Sequence, residues 1–525
     1  MRWVSILSAA AGVVFLATTL QLGSLERGGP RHADLMLEGG IPATLFLPGA
    51  GSEFRSFLDP PSPGEGPPVL VLAHGFAGDR RGLSSAARRL ALSGLAVLTL
   101  DLAGHGENRN PGRGSYVRSD SFHPDLVAAV DFLRLSPHVD GSRIAVGGHS
   151  MGAGAALDFA TRDSGIDAVV LISGGWDLNG PYPPPNALFL YAEADPERIR
   201  RRSDELAARI AGRPRVDRER TYGDVTRGTG VRVVEVSGAS HASIVWTDVA
   251  IAEIKTWLDE VFGLQSPAGD PVDSLPADPR TGLLGVIGIS ILFVLPGLGL
   301  VVGRLAPDAA ELVAWPRGLG LAAVAAALLL TMPLLALGPP FPVVPLAVAN
   351  VLIAHFALAG VSLLVLLAVR GSLNASAISP RTLPALLSAG VAVTAVLALL
   401  QPLSGALHGV SLTPERGLVF VLSTLALLPF SLAVQLWLRR GSPLTANALA
   451  AAGRVVVVLV LLLGMQLGLL HRVMVFVLGP LCLIFVGAEV LAAAIYVSSR
   501  NRLVIAIVDA AWLAFVLAAI MPIRV

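Results

Sequence analysis

The chain has a single cysteine, Cys482, set in a hydrophobic run. That excludes an intrachain disulfide and any metal site built on several thiolates. It has a single lysine, Lys255, so almost all its positive charge is arginine, which we read as an effect of genome composition. No basic cluster appears and the formal net charge is only +1, so no nucleic-acid partner is expected. Charge of either sign is scarce: 15% of the 525 residues, against 53% hydrophobic, with a mean hydropathy of +0.67. Such a balance lies far from that of a soluble globular protein. The scarcity is also local. Residues 25–280 hold nearly all the acids, and the rest is mostly Leu, Val, Ala and Gly in long runs. The length exceeds one ordinary domain. The composition implies a soluble domain joined to a polytopic membrane domain.

Four segments are expected: a signal-anchor helix at 1–24, a soluble domain at 25–263, a linker at 264–280 and a membrane domain at 281–525. Trp3 to about Leu22 follows Arg2 as an apolar stretch of roughly 20 residues, enough to cross a bilayer. The apolar core of a cleaved signal peptide is normally about 7–15 residues, so an uncleaved anchor is the favoured reading. The stretch Gln265–Arg280 carries four prolines and reads as a linker. About eight more spans follow, near 281–303, 318–338, 342–369, 383–408, 417–438, 449–470, 473–497 and 503–522. With Arg2 in the cytoplasm, the loops on that side hold Arg304, Arg317, Arg370, Arg381, Arg439, Arg440, Arg500 and Arg502. The other side holds Arg416, Arg472 and Arg524. This asymmetry follows the positive-inside rule and places residues 25–280 outside the cytoplasm of a multi-pass cell-membrane protein.

His355, Arg454, Glu489 and Asp509 fall inside apolar runs. Ionisable groups at such depth are functional hypotheses by default, with a structural ion pair as the bland reading. Span limits near 448, 497 and 503 put Arg454, Glu489 and Asp509 at similar depth, roughly 9–12 Å below one membrane face. Arg454 is therefore expected to face Glu489 or Asp509. Two acids against one base would leave a spare negative charge.

The soluble part alternates apolar runs with helical patterns. Strands are expected at 69–73, 95–100, 144–146, 168–172, 188–191 and 231–236, after a hairpin at 34–47. Helices are expected at 83–92, 125–135, 153–160, 197–210 and 243–261. Continuous apolar strands separated by helices imply a mostly parallel sheet covered on both faces, an α/β fold.

The third of these parallel strands runs into Gly148-His149-Ser150-Met151-Gly152, and a small-residue helix begins at once. A G-x-S-x-G nucleophile elbow requires this strand–turn–helix context. A serine hydroxyl needs a base to take its proton, so a downstream acid and histidine should follow. Leu188–Tyr191 runs into Ala192-Glu193-Ala194-Asp195-Pro196, and Val233–Val236 into Ser237-Gly238-Ala239-Ser240-His241.

At these residues the chain resembles the α/β-hydrolase superfamily, in particular its dienelactone-hydrolase-like and serine-aminopeptidase-like members. The resemblance covers roughly residues 34–262 and says nothing of the membrane part. It implies Ser150 as nucleophile, His241 as general base and Asp195 as the acid that orients it, with Glu193 as the rival acid. His74-Gly75-Phe76-Ala77-Gly78 matches the family's HG-x loop, which implies an oxyanion hole from the backbone N–H groups of Phe76 and Met151. Asp101-Leu102-Ala103-Gly104-His105-Gly106 matches its D-x-x-G-H-G loop, read as turn-shaping. His74 and His149 are read as scaffold.

Many relatives insert a helical cap after the sixth strand. Only Gly174–Ala187 is available here, with Pro181, Pro183, Pro184 and Pro185. The site should be open, or covered by something else such as the loop Ala211–Gly230, the bilayer surface or the membrane domain. The expected activity is that of a membrane-anchored serine hydrolase of esterase, lipase or peptidase type, acting on a small-molecule or lipid substrate with no cofactor and no metal. The alternative is a transporter or lipid-handling membrane protein whose hydrolase-like domain regulates or binds.

Overall fold

The computed structural model describes residues 2–27, 29–50, 66–112, 119–265, 272–273, 275–309, 318–337, 343–372, 382–404, 412–470 and 474–524. Most of the Pro/Gly/Ser-rich connection at 49–68, much of the linker, and Arg317, Arg381 and Arg472 lie outside these residues. The chain divides into two compact units. One is built mainly from Leu20–Leu284 with a short piece starting at Pro522; the other comprises Met1–Thr19, Gly285–Leu403 and Val410–Met521.

Among the described residues of the first unit, nine strands form one sheet: β1 (Pro30–Leu37), β2 (Ile41–Ala50), β3 (Val69–Ala73), β4 (Ala96–Leu100), β5 (Ile144–His149), β6 (Ala168–Ile172), β7 (Ala187–Ala192), β8 (Thr221–Tyr222) and β9 (Val231–Val236). Their spatial order is β1-β2-β4-β3-β5-β6-β7-β9-β8. The six strands from β4 to β9 in this order are parallel. The β1–β2 hairpin and β8 add antiparallel edges. Every residue of β3, β4, β6 and β7 is buried.

Side chains alternate across a strand, so these all-apolar runs feed two cores at once. Val69, Val71, Leu98 and Val146 pack with α3 (His123–Leu135) and α4 (Met151–Ala160) through Leu126, Val130 and Leu157. Leu70, Leu72, Val97 and Val170 pack on the other face with α2 (Ser84–Leu92) and α6 (Asp248–Phe262) through Leu90, Ile251 and Trp257. Each buried Val or Leu contributes about 1.5–3 kcal/mol, so the sheet is a rigid platform. On the first of these faces, α5 (Glu197–Ile210) adds Leu206 and Ala207.

Two boundaries differ from the sequence pattern. The helix expected from Ser243 starts at Asp248, because Thr247 caps it by accepting from the Ala250 N–H, with a short 3-10 turn at Ile244–Trp246 before it. The loop Ala211–Gly230 forms β8, paired with Val231 and Arg232 at the start of β9. Its earlier part runs back along β9, with Arg218 pairing Glu235 at 2.7 Å, so the loop borders the edge of the sheet.

The second unit is helical. Here α1 (Arg2–Arg27) is followed by α7 (Arg280–Leu305), α8 (Leu319–Leu337), α9 (Ala349–Val369), α10 (Thr382–Ser404), α11 (Pro414–Leu438), α12 (Pro443–Gln466), α13 (Met474–Ser499) and α14 (Arg502–Ile520). Among the described residues, eight helices are long and apolar enough to cross a membrane, one of them N-terminal, and Leu319–Pro333 is a shorter apolar helix. This is a multi-pass membrane architecture. Small residues let helices approach closely. Ser8 Oγ donates to the Phe293 carbonyl at 2.7 Å and accepts from the Gly297 N–H at 3.0 Å. A Cβ on Gly360 would lie 2.2 Å from the Phe430 nitrogen.

Candidate active site

Strand β5 is buried until its last residue, and the chain then turns sharply. Ser150 sits at φ 53°, ψ −110°, a conformation that a residue with a side chain rarely adopts. Helix α4 begins at Met151, immediately behind it. The turn closes because two flanking positions lack a Cβ. One on Gly148 would lie 2.3 Å from the Gly152 carbonyl carbon, and one on Gly152 would lie 2.3 Å from the Ala73 oxygen. The Ser150 N–H donates to the Ile172 carbonyl at 2.7 Å, pinning the elbow to β6.

Parallel strands bring the next two residues to the same end of the sheet. After β7, Asp195 is buried, and after β9 the loop Ser237–Ser240 delivers His241. His241 Nδ1 lies 2.6 Å from Asp195 Oδ1, and His241 Nε2 lies 3.1 Å from Ser150 Oγ. A carboxylate only accepts, so Nδ1 carries the proton and Nε2 is left to accept from the serine hydroxyl. The Asp195 carboxylate also accepts from Ser173 Oγ at 2.6 Å and the Ala192 N–H at 2.8 Å. Burial pushes its carboxyl upward, but the hydrogen bonds from His241, Ser173 and Ala192 outweigh that and hold it below the usual carboxylate range.

Glu193 points elsewhere: its Oε2 accepts from the Gly238 N–H at 2.8 Å and braces the loop before His241. Ser173 has no counterpart in the sequence reading. The one available signal was its place directly after β6, where it holds a positive φ of 51°.

Phe76 lies in the turn after β3 and Met151 follows Ser150, at the carboxyl ends of the neighbouring strands β3 and β5. Leu102 N–H donates to His74 Nε2 at 3.1 Å, so His74 Nδ1 carries the proton and donates to the Gly75 carbonyl at 2.8 Å. Asp101 is engaged by Arg80, at 2.8 Å from its N–H and 2.5 Å from Nη1. Burial raises the Asp101 carboxyl to about 6 against the opposing charge of Arg80. The D-x-x-G-H-G loop is thus tied down by Arg80. Among the described residues, no group of three or more His, Cys, Asp or Glu side chains converges as metal ligands would.

No helix forms in the proline-rich segment Gly174–Asn186. It is strapped to α4 and α5 instead: Tyr182 N–H donates to the Thr161 carbonyl at 2.9 Å, and Arg202 lies over the Trp176 ring.

The intramembrane candidates meet in the helical unit. Arg454 Nη2 lies 2.5 Å from Asp509 Oδ1, and Arg454 Nε lies 3.6 Å from Glu489 Oε2. Arg439, assigned from the sequence to a loop, is fully buried and donates to Glu489, Asn447 and Gln435. The expected spare negative charge is therefore absent, because the group holds two arginines and two acids. The helix carrying Arg454 also starts earlier than the apolar pattern implied, at Pro443 with Ser442 as its cap. Arg454 lies about 16 Å along it rather than 9 Å.

Two further arginines that read as loop charges are buried. Arg416 donates to the carbonyls of Ala518, Ala519 and Met521 at 2.6, 3.2 and 3.0 Å, satisfying the open end of α14. Arg502 donates to the Arg439 carbonyl at 2.9 Å.

The sheet, the elbow after β5 and the residues delivered after β7 and β9 define an α/β-hydrolase fold. Residues 66–216 match the family model described as serine aminopeptidase, S33. The chain is 26% identical over 195 residues to a bis(hydroxyethyl) terephthalate hydrolase of Streptomyces coelicolor, across 36% of this chain and 56% of that protein. It is 32% identical over 106 residues to a monoacylglycerol lipase of Mycolicibacterium smegmatis, across 20% of this chain and 37% of that one. The chain thus spans about half or less of these relatives. A solved dienelactone hydrolase from Anabaena variabilis superposes with 17% identity and a TM-score of 0.31, over 45% of this chain and all of that one. Residues of the α/β unit thus form a hydrolase-like domain related to esterases and peptidases.

Proposed function

We propose that the chain is a membrane-embedded serine hydrolase that cleaves an ester, lipid or amide bond through an acyl-enzyme. The observation that carries this reading is the continuous chain Ser150–His241–Asp195, at 3.1 and 2.6 Å, on a strained elbow. Ser150 Oγ attacks the substrate carbonyl carbon as His241 Nε2 takes its proton. Phe76 and Met151 N–H groups receive the developing oxyanion, a contribution typically worth about 2.7–4 kcal/mol per donor. The bond to the leaving group breaks, and His241 returns the proton to that group. Water then repeats the cycle, releasing the acid product and restoring Ser150.

The arginine asymmetry supports a hydrolase unit outside the cytoplasm with the N-terminus inside. External protease should cut the linker 265–280 in intact spheroplasts; a protected linker with cutting near exposed Arg370 inverts this orientation. The central test is labelling of the full chain in detergent with a fluorophosphonate. Wild type should label at Ser150 and the Ser150→Ala variant should not. An unlabelled wild type, inert towards a panel of esters, lipids and aminoacyl amides, would turn the assignment toward the alternative, a transporter or lipid-handling protein with a hydrolase-like regulatory domain. That alternative draws on the intramembrane group of Arg454, Glu489 and Asp509, for which we propose a structural role because Arg439 closes its charge balance.

A further inference from the structure

The G-x-S-x-G pattern leaves the residue before the serine unspecified. Here it is His149, the last residue of β5, and its ring is committed on two sides. Its Nε2 lies 2.7 Å from the main-chain carbonyl oxygen of His241. A carbonyl oxygen only accepts, so Nε2 carries the proton and donates it. The two imidazoles lie 4.9 Å apart between centroids, tilted by 50°. On the other side stands Gly75, in the loop that also holds Phe76. A Cβ there would come within 2.8 Å of His149 Nδ1 and 3.3 Å of the His149 carbonyl oxygen. One ring therefore touches the oxyanion loop and the backbone of the base, and is joined covalently to the nucleophile.

We infer that His149 is a positioning residue, whose Nε2–H fixes the main chain of His241 and so sets where the base meets Ser150. The inference rests on the serine-hydrolase reading above. His149 does not compete as a base, because the nitrogen it turns toward His241 is spent on that carbonyl.

Its charge state suits the role. The groups that face it are His241, Asp195 and His74, and burial followed by the proximity of His241 pushes it down to about 3. It stays neutral while His241 accepts the proton of Ser150, so no second cation opposes the imidazolium, and Nε2 keeps its proton in that state. The loop ahead of His241 is held separately, by the Ala194 N–H donating to the Ala239 carbonyl at 3.1 Å. Losing the His149 donor should free the base locally while leaving that loop in place.

The test compares two substitutions of similar length in the full chain: His149→Gln, which keeps an N–H donor at the side-chain end, and His149→Met, which has none. The first readout is the rate constant of fluorophosphonate labelling, and the second is the split between kcat and KM on an ester found by profiling. His149→Met should slow labelling and lower kcat by about 10- to 100-fold, the scale expected for a misplaced catalytic group, with KM unchanged. His149→Gln should recover to within about threefold of wild type, less than the tenfold that 1.4 kcal/mol represents. Thermal unfolding of each variant separates a lost fold from a misplaced base. Met labelling at the wild-type rate, or Gln impaired as much as Met with the fold intact, overturns the inference. A wild type that does not label overturns the reading it rests on instead.

Discussion

The two units treat charge differently. In the α/β unit most ion pairs lie at the surface, such as Arg134–Asp163, where the side chains are 34% and 23% exposed. Charge is buried there too, but mostly on the flanks of the sheet and in pairs, as where Arg80 meets Asp101 and Lys255 meets Asp259. In the helical unit charge is rare, and much of it is inside. Arg416, Arg439 and Arg502 rank among the largest fully buried side chains. Water can finish a helix end or solvate a loop in the first unit. Within a bilayer each open carbonyl and each acid needs a partner from the protein. Arginine, with five donors in a planar fork, serves several at once. Arginines near span ends are therefore structural parts as well as markers of topology.

The sharpest way to break the comparison is to remove chemistry from one unit without touching its fold. Ser150→Ala should lower hydrolysis by several orders of magnitude with unchanged thermal unfolding, because the three residues act as a unit. His241→Ala should match it and Asp195→Asn should be somewhat milder. Retention of more than a tenth of the rate by Ser150→Ala, measured on any substrate of the wild type, would refute the assignment.

Next in size is the intramembrane group. Arg454→Ala leaves Asp509 buried without its partner, a loss of about 3–5 kcal/mol, read from denaturant unfolding in detergent. Replacing both partners, Arg454→Met with Asp509→Leu, should restore most of it. If the double variant is as unstable as the single one, the pair is not acting through charge burial.

Gly152→Ala should destabilise the α/β unit by about 1–3 kcal/mol through overpacking, since its Cβ would meet the Ala73 oxygen at 2.3 Å. Labelling at Ser150 should fall with it. A variant of wild-type stability would mean the elbow relaxes around a methyl group.

A further effect sits in the pH dependence of the same unit. His149 is lowered from 6.5 to about 3 on folding, so the unfolded chain binds its proton first as pH falls. Its stabilising contribution is complete above about pH 6.5 and is lost progressively toward pH 3, by at most about 1.4 kcal/mol per pH unit. His149→Gln should flatten that part of the acid limb of thermal unfolding between pH 6.5 and 4; an unchanged slope would assign the acid loss to other groups. Smallest of all, Arg134→Ala should change stability by less than about 1 kcal/mol. A loss as large as that of Arg454→Ala would erase the contrast between the units.

Much of the α/β unit was legible because its signals are local. A run such as Val69–Ala73, buried on both faces, has to be apolar at every position, and the small residues around Ser150 mark a turn that tolerates no side chain. Even there, neighbours in sequence were not neighbours in role. Glu193 and Asp195 stand two residues apart after the same strand, and only the direction each side chain takes separates a loop brace from the partner of His241. Ser173 left only its place after β6, and a serine at a strand end looks like any other.

The helical unit was less legible for a physical reason. Apolar helices announce their existence, yet their limits depend on caps. Ser442 begins a helix whose first turns are not the most apolar, which moved Arg454 deeper than its pattern suggested. The charge state of the group around Glu489 depended on Arg439, a residue from outside the apolar run that enters only when α11, α12 and α13 pack together. By itself the sequence determined the six parallel strands, the elbow and most of the apolar helices, and it named three residues able to meet. The tertiary structure decided which acid faces His241, what His149 holds and how the buried charges balance. Those outcomes depend on distances and directions between segments far apart in the chain, and residue type alone does not encode them.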